Sequence, residues 1–253
     1  MILLLSCEGP TDLGTSERGG LCRGNEFLPG PMARLVEQLL EPCLGITILS
    51  YARDSDSEWV YFLCKADLGQ KARDLKNPKS LFLPGADVPK GALYYVKAAY
   101  ALGLHAREIE TQSGDLVMAV FFRDSDGTQT CPRTQWQDKR NAVEKGFEAA
   151  EFAGGVAMIP KPKSEAWLLC ALQRHYQHCD SLEDESGNDD SPNSLKKQLA
   201  ECLEQEICRE VLDDLVREGT IVAANIQMPS FVAFKTSLLE AAQYNQLDVS
   251  AYQ

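Results

Sequence analysis

The sequence predicts an α/β protein: a mostly parallel, Rossmann-like sheet flanked by helices, with a helical extension toward the C-terminal end. Three observations carry this prediction. Continuous apolar runs at Ile2–Ser6, Leu116–Phe122 and Gly155–Ile159 suit strands buried on both faces of a sheet. Segments with helical spacing lie between them, and alternation of strand and helix is the pattern of a parallel sheet. The chain has 253 residues, 44% hydrophobic and 25% charged. It is long enough for a substantial core and is not a disordered, collagenous or coiled-coil sequence.

Taken in order, Ile2–Ser6 reads as a buried first strand. It runs straight into Cys7-Glu8-Gly9, without the basic start and longer apolar run of a signal peptide. No stretch of about 18 apolar residues exists to span a membrane, so a soluble, cytoplasmic protein is expected. Residues 8–30 are rich in Gly and Pro and read as a long loop. Apolar residues at 32, 35, 36, 39 and 40 form a helical stripe that should end before Pro42. Gly45–Leu49 looks like a second strand, and Trp59–Leu63 is an apolar run of undetermined type.

Ala92–Leu104 suits a helix closed near Gly103, and Leu116–Phe122 is the strongest strand of all. Trp136–Phe152 reads as a helix, Gly155–Ile159 as a strand, and Ser164–Gln177 as a helix with Ser164 at its N-cap. Residues 180–190 hold six acids and no base, the composition of a solvated linker or flexible loop. Helices are expected at 194–217 and 230–243. The resulting division is a domain over 1–178, with an insertion within 50–90, an acidic loop over 179–193, and a helical region over 194–253.

The nine cysteines are scattered and include no CxxC pair. Several, such as Cys64 and Cys170, sit in apolar runs, so reduced structural thiols are expected. His175, His178 and Cys179 cluster in sequence but lack a fourth ligand nearby. No Gly-x-x-x-x-Gly-Lys-Ser/Thr string is present, so any ATP hydrolysis must come from a partner.

Chemistry-bearing residues collect just past two strands. Glu8-Gly9-Pro10-Thr11-Asp12 follows the first, and Asp124-Ser125-Asp126-Gly127 follows Leu116–Phe122. In a parallel α/β sheet the carboxyl ends of the strands form one rim, where ligands bind. Carboxylates gathered there repel one another unless a cation lies between them, and hard oxygen ligands suit Mg2+ or Mn2+. An EF-hand does not fit, because its glycine belongs at the sixth position and a glutamate at the twelfth, whereas here these are Gly127, fourth from Asp124, and Gln135. Arg53-Asp54-Ser55-Asp56-Ser57 nearly repeats Arg123-Asp124-Ser125-Asp126-Gly127, which makes Asp54 and Asp56 a rival pair.

A strand followed by Glu-Gly-x-x-Asp, and later a strand followed by Asp-x-Asp-Gly, resembles the Toprim domain shared by topoisomerases, DnaG-type primases, ribonuclease M5-type enzymes and OLD-family nucleases. The segment Pro162-Lys163-Ser164-Glu165-Ala166-Trp167-Leu168-Leu169 resembles more narrowly the small stand-alone Toprim-like proteins found beside ATPase genes in bacterial defence loci. The likeness covers roughly residues 1–175 and, more weakly, the Pro229-Ser230-Phe231 helix.

The resemblance implies a Toprim-like fold and a Mg2+- or Mn2+-dependent nuclease, a hydrolase of phosphodiester bonds. Glu8 would be a general acid/base or metal ligand, and Asp124 and Asp126 the metal-binding pair. Asp12 would support a second metal, Glu165 would be an additional ligand, and Lys163, with Lys161, would contact the scissile phosphate. It further implies antiviral defence as the setting, nucleic acid as substrate (DNA rather than RNA) and an ATPase as partner. A homo-oligomer is compatible with it, and no membrane is involved. The alternative is a non-catalytic Toprim-fold subunit that binds and regulates a partner ATPase. A topoisomerase would need a separate tyrosine-bearing module, and a primase a zinc-binding domain.

The formal net charge is −12, which weighs against passive coating of nucleic acid. Six of those charges fall in residues 180–190, and several others are the proposed ligands, whose charge bound metal would offset.

Overall fold

The computed structural model describes residues 1–7, 12–16, 20–55, 57–74, 91–125, 133–172 and 179–252. Successive side chains of a strand point to opposite faces, and here both faces are covered. Leu3, Leu5, Phe62, Met118, Val120, Val156 and Met158 enter one core, while Ile2, Leu4, Tyr61, Leu63, Val117, Ala119, Phe121 and Ala157 enter the other. Double burial explains why these strands read as unbroken apolar runs.

The strands are β1 (Ile2–Cys7), β2 (Gly14–Ser16), β3 (Leu21–Arg23), β4 (Phe27–Pro29), β5 (Val60–Leu63), β6 (Val117–Phe122) and β7 (Gly155–Met158). Among the described residues they form a five-stranded sheet, ordered β3-β5-β1-β6-β7, and a two-stranded sheet of β2 and β4. β5, β1, β6 and β7 are parallel, and β3 joins β5 antiparallel. The chain thus leaves β1 toward one side of the sheet and leaves β6 toward the other. The crevice at the carboxyl ends of β1 and β6 is the switch point where such sheets bind ligands.

The helices are α1 (Pro31–Leu44), α2 (Ile48–Ser55), α3 (Lys65–Asp74), α4 (Leu93–Ser113), α5 (Arg133–Ala149), α6 (Ser164–Leu172), α7 (Leu195–Leu203), α8 (Arg209–Arg217) and α9 (Pro229–Tyr244). α4 and α5 cover one face, with Val96, Leu102, Val143 and Phe147 in its core. α1, α2 and α6 cover the other, and residues of the C-terminal extension, among them Leu199, Val216, Phe231 and Leu238, complete the same core. Trp167 of α6 is its largest fully buried side chain. It stacks on Phe234 at 5.6 Å, meets Phe231 edge-on at 4.9 Å and donates its indole N–H to Ser230 Oγ at 2.9 Å.

Several sequence expectations change. The stretch 8–30 is not loop throughout, since it contains β2, β3 and β4; strands of three residues are too short to show a period. Gly45–Leu49 is not a strand: a turn at Gly45 leads into α2, whose Leu49 N–H is received at 2.7 Å by the buried carboxylate of Glu37. α1 runs on through Pro42, which forgoes one i→i−4 hydrogen bond, and ends at Gly45, in the left-handed region at φ 69°. α4 likewise continues past Gly103 to Gly114. Gly103 lies inside it because a Cβ there would come within 2.8 Å of the Ala150 Cβ. The helix expected over 194–217 is two, α7 and α8, broken at Glu204 with φ 54°.

The acidic run is only partly solvated. Cys179–Asp184 forms a 3-10 turn with Cys179, Leu182 and Glu183 buried, and Cys179 is joined to Cys170 in a disulfide, contrary to the expectation that the thiols are all reduced. Among the described residues no helix is long and apolar enough to cross a membrane.

Candidate functional site

β1 and β6 deliver Asp12 and Asp124 to the same place. The Asp12 carbonyl receives Met32 N–H at 3.0 Å, and Leu13 O receives Gly30 N–H at 2.9 Å, which fixes this stretch against the start of α1. Beyond β6, Arg123 and Ser125 continue along the chain leaving β7: Arg123 N–H donates to Met158 O at 3.2 Å, and Ser125 N–H to Pro160 O at 3.1 Å. Ser125 is fully buried; its hydroxyl donates to Pro162 O at 3.3 Å and its carbonyl receives Lys139 Nζ. Tyr95 donates its phenolic O–H to Asp124 O at 3.3 Å. Arg123 lies over the Tyr94 ring at 4.3 Å.

Ser164, the first residue of α6 and 2% exposed, joins the two aspartates. Its backbone N–H donates to Asp124 Oδ1 at 2.9 Å. Its hydroxyl lies 2.5 Å from Asp12 Oδ1 and 3.5 Å from Glu165 Oε2. A serine hydroxyl has one proton to give, and the shorter contact assigns it to Asp12. Asp124 thus takes up a helix N-terminus, where unsatisfied N–H groups and the helix dipole favour an anion.

Burial pushes the Glu165 carboxyl above the usual glutamate range, and the charge of Asp12 adds to this while Lys163 opposes it. Burial disfavours the charged form of a carboxyl, and a neighbouring carboxylate adds to the same effect. Burial would lower the Lys163 ammonium, but its hydrogen bond to Asp189 and the charges of Asp189, Glu165 and Asp124 outweigh that and raise it. Lys163 Nζ meets Asp189 at 2.8 Å. Lys161, 3% exposed, is paired with Asp184 at 3.4 Å and Glu183 at 3.8 Å.

The structure therefore brings together Asp12, Asp124, Lys163 and Glu165 of the expected set. Glu8 and Asp126 lie outside the described residues, as do Asp56, His175 and His178. Asp54 is exposed at the end of α2, not after a strand. Trp59 O receives Leu3 N–H at 2.8 Å, so the chain enters β5 at the amino ends of the parallel strands, and Asp54 precedes that entry on the rim opposite Asp124. Among the described residues no group of three or more His, Cys, Asp or Glu is placed to hold a metal.

Two residues escaped sequence reasoning. Ser164 was expected as a local N-cap, whereas its partners lie 40 and 152 positions away. Asp189 sits in a stretch whose composition signals only solvation. A crevice of about 90 Å³ opens beside the site, lined by Asp12, Ser164 and Glu165 and by Lys196 and Arg209 of the C-terminal extension. A larger cavity of about 600 Å³ lies at the ends of β1 and β5, with Cys7, Phe62, Lys65, Arg73 and Tyr94 in its wall. Compared with protein-family models, curated proteins and solved structures, the chain matches none.

Proposed function

We propose that the chain is a Mg2+- or Mn2+-dependent phosphodiester hydrolase of Toprim type, acting on nucleic acid. The observation that carries this reading is the meeting of Asp12, Asp124 and Glu165 around Ser164 at the β1–β6 switch point. Carboxylate oxygens are the donors that hard divalent cations prefer. Asp12 and Asp124 would hold the metal only together with Glu8 and Asp126, since the described carboxylates do not form a metal-holding group by themselves. Two such ions supply an activated water and charge stabilisation for the leaving oxygen.

The chain's own residues do the positioning. Ser164 holds two carboxylates from strands far apart in sequence. Lys163 carries a firmly protonated ammonium beside them, a point charge suited to a phosphate oxygen. The setting in antiphage defence, with a separate ATPase, is supported by the likeness of the Glu165–Leu169 segment and by the lack of a phosphate-binding loop in the sequence.

The test is cleavage of DNA and RNA by the full chain, with Mg2+ or Mn2+, with and without an added candidate ATPase partner. Divalent-dependent cleavage is expected, falling to background in Glu8→Gln and Asp124→Asn. Activity untouched by either substitution would sink the assigned site. Inactivity in every condition, with intact binding to the ATPase, would leave the non-catalytic subunit as the surviving reading.

A further inference from the structure

The segment 179–193 has a firmly held base and a lightly held tip. At the base, Cys179 is bonded to Cys170 of α6, and Leu182 is 3% exposed. Glu183 receives Ser230 N–H from the start of α9 at 2.6 Å and faces the buried Lys161. At the tip, Asn188, Asp189 and Asp190 are exposed. Local hydrogen bonds shape it, Asn188 N–H to Ser186 Oγ at 3.2 Å and Asp190 N–H to Asn188 Oδ1 at 3.1 Å. Gly187, just before it, is buried, and of the exposed residues Asp189 reaches the site, its Oδ1 2.8 Å from Lys163 Nζ.

The two ends of that contact differ. The Lys163 side chain is 16% exposed and that of Asp189 56%. Asp189 also adds negative charge near Glu165. It therefore stands where an incoming anion would meet both the lysine and the carboxylate cluster.

We infer that the exposed tip at 188–190 is an internal stand-in for a substrate phosphate: Asp189 occupies Lys163, and nucleic acid must displace it to engage the site. The inference rests on the phosphate-contacting role given to Lys163 above. A solvent-exposed ion pair holds its partners by at most about fivefold in equilibrium constant. A polyanion can displace such a latch, yet it still weakens substrate binding measurably. The same arrangement accounts for acid placed beside a site for a polyanion, since the tip repels and competes until a stronger anion arrives.

The test is the affinity of a 20-nucleotide DNA, measured by fluorescence anisotropy in low salt with Ca2+ in place of Mg2+. The full-length wild type is compared with Asp189→Asn, Asp190→Asn and the double variant Lys163→Gln/Asp189→Asn. Asp189→Asn should bind two- to fivefold more tightly than wild type. Asp190→Asn changes net charge equally one residue away and should bind clearly less tightly than Asp189→Asn, and the double variant should lose the gain. An equal gain in both single variants would overturn the inference by reducing it to general repulsion. Unchanged or weaker binding by Asp189→Asn, or no binding by any variant, would also overturn it. Cleavage by the same proteins in Mg2+ is read separately. A gain specific to Asp189→Asn without cleavage would remove the hydrolase reading and leave the latch; cleavage with equal affinities would do the reverse.

Discussion

Ser164 serves two carboxylates at once. One residue supplies a backbone N–H to Asp124 and a hydroxyl to Asp12, so residues from two strand ends depend on it. A hydrogen bond to a charged acceptor contributes about 1.5–3 kcal/mol. Ser164→Ala should therefore lower the melting temperature by roughly 3–10 °C for a chain of this size, read by thermal unfolding in EDTA; an unchanged midpoint would show that the hydroxyl is idle. Removing Asp124 also has a structural cost, because its carboxylate serves a helix N-terminus. Asp124→Ala should cost about 0.5–2 kcal/mol, and the isosteric Asp124→Asn is the better test of chemistry.

Glu165 gives a pH signature. Its folded-state carboxyl titrates above the ordinary value, with burial the main cause and Asp12 adding to it. Below the ordinary glutamate value of about 4.3, the group is neutral in both folded and unfolded chains and contributes no slope. As the pH rises from there through the folded-state value, the native protein keeps a proton the unfolded chain has lost, so stability falls. In EDTA, Glu165→Gln should lack that fall and gain stability over wild type toward neutral pH. Parallel stability–pH curves for the two proteins would contradict the assignment.

At the scale of elements, close approach decides where glycines lie. A Cβ at Gly146 of α5 would stand 2.5 Å from Val96 O and 2.7 Å from Ala99 Cβ of α4. Gly146→Val should therefore cost at least the 1–3 kcal/mol typical of overpacking, whereas Gly45→Ala meets no side chain and strains only its left-handed φ of 69°. Chemical denaturation of both variants checks the ranking, and equal losses would contradict it. The same packing explains which elements could be read from the sequence. β1, β6 and β7 were legible because burial on both faces made them continuously apolar. Gly103 suggests a terminator because its reason for being there is Ala150, 47 positions away, and Gly45–Leu49 suggests a strand because the Glu37 carboxylate that receives Leu49 N–H lies on another helix.

Across the whole molecule, the pairing of Asp12 with Asp124 was legible as two acids following two strong strands, which a parallel sheet must bring to one rim. The role of Asp189 was not, because the acidic run has the composition of a linker and only the tertiary fold shows that its tip reaches Lys163. The net charge of −12 accordingly has distinct parts: carboxylates gathered at the β1–β6 crevice, and an insert buried at one end and laid against Lys163 at the other. On the proposed reading, a molecule with its charge arranged this way would need a divalent cation before it could approach a phosphodiester. Calorimetric titration of the metal-free chain with Mn2+ tests this most directly. Saturable binding by wild type, lost in Asp124→Asn with the fold intact by circular dichroism, is the result expected. No binding by wild type, or equal binding by the variant, would contradict a metal centre at the strand ends.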